Sequence, residues 1–280
     1  MPYIVPIETA RAWFPEYIFI SSLTPSEQKA AFHVRKDGQD LCLKLIAPTS
    51  DRERIDREIL VLQGLSHPNV VKLVEYTYST TNGVLRHFSV EEFVEGVDLS
   101  MVIETDKPLD TKRVASLFSA LCDGLYAIHK MGVVHRDLKP SNIRVRHNGT
   151  PVIIDFGISR LLTLPDLTST SDGAQFGTPL YFAPEQFTGT KRDIDHRTDL
   201  FALGILLYQA LVGEHPFYEP TNNFDGLQKA VCESTDFLSS PGYSALPDGW
   251  QSIISRLLEK ERSRRPQSAE QVSRLIRKLG

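Results

Sequence analysis

Apolar residues in the first hundred positions come in short runs. Tyr17-Ile-Phe-Ile20 and Leu41-Cys-Leu-Lys-Leu-Ile46 have the length and composition of strands. Lys36-Asp-Gly-Gln39 lies between them and carries an Asp-Gly hairpin signal. From Ser50 to Leu65 the period changes. A charged start is followed by Ile55, Ile59, Leu62 and Leu65, the spacing of an amphipathic helix with Ser50 or Asp51 as N-cap. Two further strands are predicted near Val70–Val74 and His87–Phe93, separated by the turn-like Ser79-Thr-Thr-Asn-Gly83.

From Val94 onward the helical period dominates. Val114, Leu117, Leu121, Leu125 and Ile128 mark a helix over Lys112 to Met131. A loop and a pair of strands are expected from His135 to Phe156, and then helices separated by Pro- and Gly-bearing loops. The longest apolar stretch, Leu200 to Val212, includes Gly204, Tyr208 and Gln209. It is shorter than the ~20 residues needed to cross a bilayer and is predicted as a buried core helix. The pattern predicts an α+β protein of two lobes with a cleft between them. An N-terminal lobe over 1–93 is an antiparallel sheet plus one helix, and a mainly α-helical lobe covers 94–280.

The 280 residues are 41% hydrophobic and 24% charged, which excludes a largely disordered chain. Lys and Arg number 31 against 35 Asp and Glu, a net charge of −4, so no global basic footprint suggests nucleic acid. Cys42, Cys122 and Cys232 are odd in number and far apart, which suits a reducing, cytoplasmic compartment. Met1 to Ala10 lacks the basic and apolar regions of a signal peptide.

The densest chemistry is His135-Arg-Asp-Leu-Lys-Pro-Ser-Asn142, followed downstream by Asp155-Phe-Gly157. Here the chain resembles the eukaryotic-like (Hanks-type) serine/threonine protein kinases, over about Tyr17 to Lys278. The resemblance implies a bilobal protein kinase fold and transfer of the ATP γ-phosphate to protein Ser or Thr, with Mg²⁺. Such transfer needs positioning and charge neutralisation more than covalent help. By resemblance, Asp137 accepts or orients the substrate hydroxyl's proton, and Asn142 and Asp155 offer hard oxygens to Mg²⁺. Lys139 steadies the transferring phosphate and points to Ser/Thr specificity. Lys44 meets the α- and β-phosphates, with Glu58 as its helix partner.

Gly177-Thr-Pro-Leu-Tyr-Phe-Ala-Pro-Glu185 resembles the substrate-docking end of the family's activation segment. Thr178 is then expected near Asp137 and Lys139, Glu185 on Arg265 in a buried bridge, and Asp199 beneath the catalytic loop. Arg136 is expected to gather a phosphorylated residue of the segment. Thr170 is the first choice, then Thr168, with Thr163, Ser169 and Ser171 also in reach. The style of Val90-Glu-Glu-Phe-Val-Glu-Gly96 is similar to bacterial members.

The sequence also departs from the family. Thr24, Ser26 and Lys29 stand where the glycine-rich loop has glycines, and Ala31 stands for a valine above adenine. Pro25 removes a backbone donor and Glu27 adds negative charge. Lys29 reaching the phosphates, closure with a partner, and weak nucleotide binding are competing explanations, as is plain divergence. Modification of Ser21, Ser22, Thr24 or Ser26 is a further switch to consider. Around the adenine pocket of Glu91, Glu92 and Phe93, Glu91 takes the usually apolar or Thr gatekeeper position. Arg144 replaces an apolar residue beneath adenine. Each is expected to find a polar partner, the other included, since an unpaired buried charge is costly. The expected partners are protein substrates and a second copy for trans-autophosphorylation, without nucleic acid or membrane. A pseudokinase scaffold and a small-molecule phosphotransferase are the rival readings.

Overall fold

The computed structural model of the chain describes residues 2–26, 29–47, 63–81, 84–155, 179–189, 193–218 and 223–280. They fall into two compact units. The first holds the described residues of Met1–His67 and Val71–Val94, and the second those of Pro68–Val70, Glu95–Gly157 and Pro165–Gly280.

The first unit opens with a helix, α1 (Ile7–Trp13), and continues into a five-stranded antiparallel sheet. Its strands are β1 (Ile18–Ser22), β2 (Lys29–Lys36), β3 (Gln39–Ile46), β4 (Leu73–Thr81) and β5 (Val84–Glu92), in the spatial order β1-β2-β3-β5-β4. The β2–β3 hairpin closes at Lys36↔Gln39 over Asp37 and Gly38, whose φ angles are 50° and 77°. A two-residue turn matched to the strand twist needs both dihedrals positive, and Asp-Gly supplies them. β4 begins at Leu73 rather than at the expected Val70, and with β5 it runs on to Thr81↔Val84 through the expected turn residues, because Ser79-Thr-Thr81 contains β-branched residues that suit a ladder.

Strand alternation gives this sheet two different faces. Phe32, Val34, Leu43, Leu45, Phe88 and Val90 point to one of them and are buried. α1 lies in the same apolar cluster through Ala10 and Phe14, and the Phe14 ring meets Phe88 edge-on at 4.8 Å. The Arg86 guanidinium sits 3.8 Å above the Trp13 ring. The sequence reading missed α1. At seven residues, with Pro6 at its N-cap and no side-chain cap, it is too short to show a period. Residues 48–62, which carry most of the helix expected over Ser50 to Leu65, lie outside the described residues.

The second unit is mainly helical. A short sheet of order β6-β7-β8 is made by Val97–Asp98, Ile143–Val145 and Pro151–Ile153. Its helices are α2 (Leu99–Asp106), α3 (Thr111–Lys130), α4 (Pro184–Thr188), α5 (His196–Val212), α6 (Phe224–Glu233), α7 (Pro241–Ser244), α8 (Asp248–Leu257) and α9 (Ala269–Ile276). Asp110 caps α3 by accepting from the N–H groups of Lys112 and Arg113, and Asp195 caps α5 by accepting from Arg197. α5 is buried almost all round, as its unbroken apolar run predicts. Among the described residues no helix is long and apolar enough to cross a membrane.

Phe14 is 1% exposed, so Phe14→Ala removes a ring from a closed core. Urea unfolding is expected to show a loss of about 3–5 kcal/mol. A loss below about 1 kcal/mol would mean that α1 is not part of this core.

Candidate active site

The loop from His135 to Asn142 is shaped from below by one carboxylate. Asp199, in the first turn of α5, is 1% exposed. Its Oδ2 accepts from the His135 backbone N–H and from His129 Nε2, each at 2.8 Å, and its Oδ1 accepts from the Arg136 N–H at 2.7 Å. Burial alone would raise its pKa. The His129 hydrogen bond and charge and the Arg136 N–H outweigh burial and hold it below the usual carboxylate range. Arg136 itself is left-handed, with φ of 64°. That conformation costs a non-glycine residue about 1–2 kcal/mol, which the Asp199 bonds offset.

The next residues converge on Asp137. Its N–H donates to His135 Nδ1 at 3.3 Å. Burial pushes the His135 pKa down, which keeps the ring neutral and able to accept. Lys139 Nζ lies 3.0 Å from Asp137 Oδ2. Asn142 Nδ2 donates to the Asp137 carbonyl at 2.8 Å and to Asp137 Oδ2 at 3.1 Å. The Asn142 carbonyl in turn accepts from the Ile154 N–H at 2.9 Å, which places Asp155 beside the loop with φ of 60°. Asp137, Lys139, Asn142 and Asp155 thus belong to one connected piece of backbone.

Hard oxygen donors at Asn142 and Asp155 fit Mg²⁺, whose protein ligands are one or two side chains alongside phosphates and water. The Asn142 amide nitrogen is committed to Asp137, so its Oδ1 is the atom left to offer a cation. Among the described residues no group of three or more His, Cys, Asp or Glu could hold a metal.

A second ion pair joins segments far apart in sequence. Arg265 NH1 and NH2 meet Glu185 Oε1 and Oε2 at 2.7 and 2.8 Å, with both residues buried. Thr198 Oγ1 also donates to Glu185, at 2.8 Å. The carbonyls of Glu259, Arg197 and Lys260 take the remaining Arg265 donors. Gln186 Nε2 donates to the Arg136 carbonyl at 3.0 Å and so ties α4 to the loop. Ala183-Pro-Glu-Gln186 also has the style of bacterial members, but the sequence reading gave Gln186 no contact, although Gln at the third position of a helix opened by Pro is a start signal. It also overlooked His129, whose partner lies 70 residues away with no local pattern to announce it.

In the first unit, Lys44 Nζ lies 2.5 Å from Glu91 Oε2, and both side chains are buried. Lys29 stands on the same sheet face, since Lys29↔Ile46 and Ala31↔Lys44 are paired. Glu92 points the other way and accepts from the Lys72 N–H at 3.2 Å. The Phe93 ring stacks on His33 at 3.8 Å. The β1–β2 turn uses its backbone internally, with Ser26 N–H on the Lys29 carbonyl at 2.9 Å, while Tyr3 N–H reaches the Ser26 carbonyl at 2.8 Å.

Arg144, in the second unit, donates to Asp98 Oδ1 at 2.8 Å and to the Gly96 carbonyl. Gly96 has φ of 138°, and an added Cβ would fall 2.1 Å from the Val145 carbonyl oxygen, so only glycine fits there. Glu91 and Arg144 thus each have a partner within their own unit. Glu58, Phe156, Gly157, Thr163, Thr168, Ser169, Thr170, Ser171 and Thr178 lie outside the described residues.

Two stability outcomes follow. Arg265→Met leaves the Glu185 carboxylate buried without its cation and is expected to cost about 3–5 kcal/mol in urea unfolding. His215, whose Nε2 bonds the Leu180 carbonyl at 2.9 Å, has its pKa pushed down by burial to about 4. The unfolded chain takes up that proton near pH 6.5 and the folded chain only near pH 4. Stability is therefore expected to fall by about 3 kcal/mol as pH drops through this window. His215→Gln should flatten that slope in urea titrations at stepped pH. An unchanged slope would assign the acid sensitivity elsewhere.

The protein kinase domain family matches residues 29–275. Serine/threonine-protein kinase pkn2 of Myxococcus xanthus is 38% identical over 246 residues, which cover 84% of this chain and 29% of that protein. Serine/threonine-protein kinase pkn3 of the same organism is 34% identical over 231 residues, 78% of this chain and 40% of that protein. Serine/threonine-protein kinase PknB of Mycolicibacterium smegmatis is 34% identical over 194 residues, 66% of this chain and 31% of that protein. The chain thus spans about 29–40% of the length of these relatives. Taken with an antiparallel sheet followed by a mainly helical unit, the match shows that this chain belongs to the protein kinase domain family.

Proposed function

We propose that this domain transfers the γ-phosphate of ATP to Ser or Thr hydroxyls of proteins. The observation that carries the reading is the convergence of Lys139 and Asn142 on Asp137 within one loop. Asp137 accepts the hydroxyl's proton and aims the oxygen, which a carboxylate fixed by two neighbours can do without reorganising. Lys139 balances charge on the transferring group as a compact cation, and its place two residues after Asp137 favours Ser/Thr over Tyr. Asn142 and Asp155 would hold Mg²⁺, which would supply neutralisation of the phosphate charge. Lys44 orients the α- and β-phosphates, and Lys29 on the same sheet face adds positive charge in place of the missing glycines. Glu91, Glu92, Phe93 and Arg144 belong to the adenine-binding region.

Control rests on Arg136 and the segment ahead of Glu185. Phosphorylation at Thr170, Thr168 or Ser171 gives Arg136 an anion to hold and orders the segment. A second copy of the chain is a natural first substrate, which makes trans-autophosphorylation in a homodimer the activating step. Cys42, Cys122 and Cys232 are not joined in disulfides, which suits the cytoplasm.

Asp137→Asn keeps the shape of the loop and removes the base. With labelled Mg·ATP and a protein substrate, kcat is expected to fall by about 10²–10⁴-fold, with KM for ATP little changed. Mass spectrometry of the wild type should place phosphate on Thr168, Thr170 or Ser171. Nucleotide binding without label in the wild type would instead support a scaffold, and label on a sugar but no protein would support a small-molecule phosphotransferase.

A further inference from the structure

Lys44 and Glu91 are diagonal neighbours on one face of the sheet. In the β3–β5 ladder Lys44 is paired with Ser89 and Cys42 with Glu91, so the two long side chains converge across the pair. Lys44 is 6% exposed and Glu91 is 7% exposed, so neither charge is screened by bulk water. The ladder runs without a register shift from Leu41↔Glu92 to Leu45↔Phe88, and the carboxylate therefore moves with the strand that bears the lysine. A glutamate on a separate helix has to be brought to Lys44 by packing, whereas one on β5 is present whenever the sheet is formed.

We propose that Glu91 is a positioning residue for Lys44, a counter-ion built into the sheet that holds the ammonium toward nucleotide phosphates and makes its placement less dependent on Glu58. An ammonium has three N–H donors, so one carboxylate oxygen does not exhaust its capacity to bond phosphate oxygens. The proposal rests on the reading of Lys44 as the phosphate-orienting cation, and it deepens that reading by giving the gatekeeper position a charge-bearing task. It also explains why a carboxylate is tolerated there. The charge is neutralised on the spot, and removing it would leave a buried cation with one fewer partner.

The titratable and charged groups that share this face with Lys44 are Lys29, His33 and Arg35 on β2, Asp40 and Cys42 on β3, Tyr76 and Tyr78 on β4, and His87 and Glu91 on β5. His33 is engaged by Asp40 at 2.8 Å, and Tyr76 Oη lies 3.5 Å from His87 Nδ1. Glu91 is bonded to Lys44. Its removal disfavours the charged form of Lys44, so the lysine's titration is expected to move to lower pH.

The test is competitive acetylation of Lys44 across pH, read by mass spectrometry on the full chain, for wild type, Glu91→Gln, Glu58→Gln and the double variant. In Glu91→Gln the Lys44 titration is expected to move down by about one pH unit, a tenfold change in its protonation equilibrium. The alkaline limb of kcat/KM for Mg·ATP should move with it, while KM for the protein substrate stays within about twofold. Glu58→Gln should keep a measurable share of activity, and the double variant should lose more than the product of the single losses. An unmoved Lys44 titration in Glu91→Gln overturns the proposal, as does a strictly multiplicative double variant. Where Glu91→Gln folds poorly, Glu91→Met reads the same titration with an apolar side chain of similar volume. Acetylation needs no turnover. A wild type that binds Mg·ATP without transferring phosphate would therefore defeat the kinase reading, while the Lys44 titration would still decide the role of Glu91.

Discussion

Asp199 uses both carboxylate oxygens on the backbone of His135 and Arg136, and those bonds set the path of everything that follows in the loop. Arg136 can turn left-handed because its N–H is held there. That turn presents Asp137 to Lys139 and Asn142, and Asn142 hands the register on to Ile154 and Asp155. A carboxylate is the right group for the task, since it accepts several bonds at once and donates none that would need a partner. The His129 ring completes its shell from the end of α3. The chemistry-bearing side chains of this unit thus inherit their positions from a residue that has no reason to touch a substrate.

Charges inside the molecule follow one rule. Arg265 with Glu185 and Lys44 with Glu91 are each answered from a different stretch of the chain, and the half-buried Arg144 is answered by Asp98 in the same way. Desolvation makes a lone buried ion expensive, so a charged substitution at an apolar position survives when its answer is within reach. Glu91 and Arg144 look anomalous when the sequence is read position by position. They cease to be so once the strand register and the path of Gly96 to Asp98 are known.

Much of the architecture was legible because it is written in local periods. The Asp-Gly hairpin, the 3.6-residue period of α3 and the unbroken apolar run of α5 each predict one element from one window of residues. The loop residues from His135 to Asn142 were legible as a motif. What stayed hidden depends on pairing at a distance. The parity that puts Glu91 on the face of Lys44 is fixed by a ladder between strands 47 residues apart. α1 has too few residues to show a period, and its value lies in an apolar face that only the assembled sheet creates.

The location of α1 bears on where this domain physically begins. The family match starts at residue 29, on the first residue of β2. Yet Val5, Ala10, Phe14, Tyr17 and Phe19 are buried in the same cluster as Phe32, Leu43 and Phe88. A boundary drawn at the family match would strip off β1 and the lid over that face, leaving a sheet with one greasy side and an unprotected strand edge, the usual ingredients of sticky, self-associating protein. For this chain the folded core reaches beyond the matched stretch, and the segment ahead of the match belongs to the domain as a structural part.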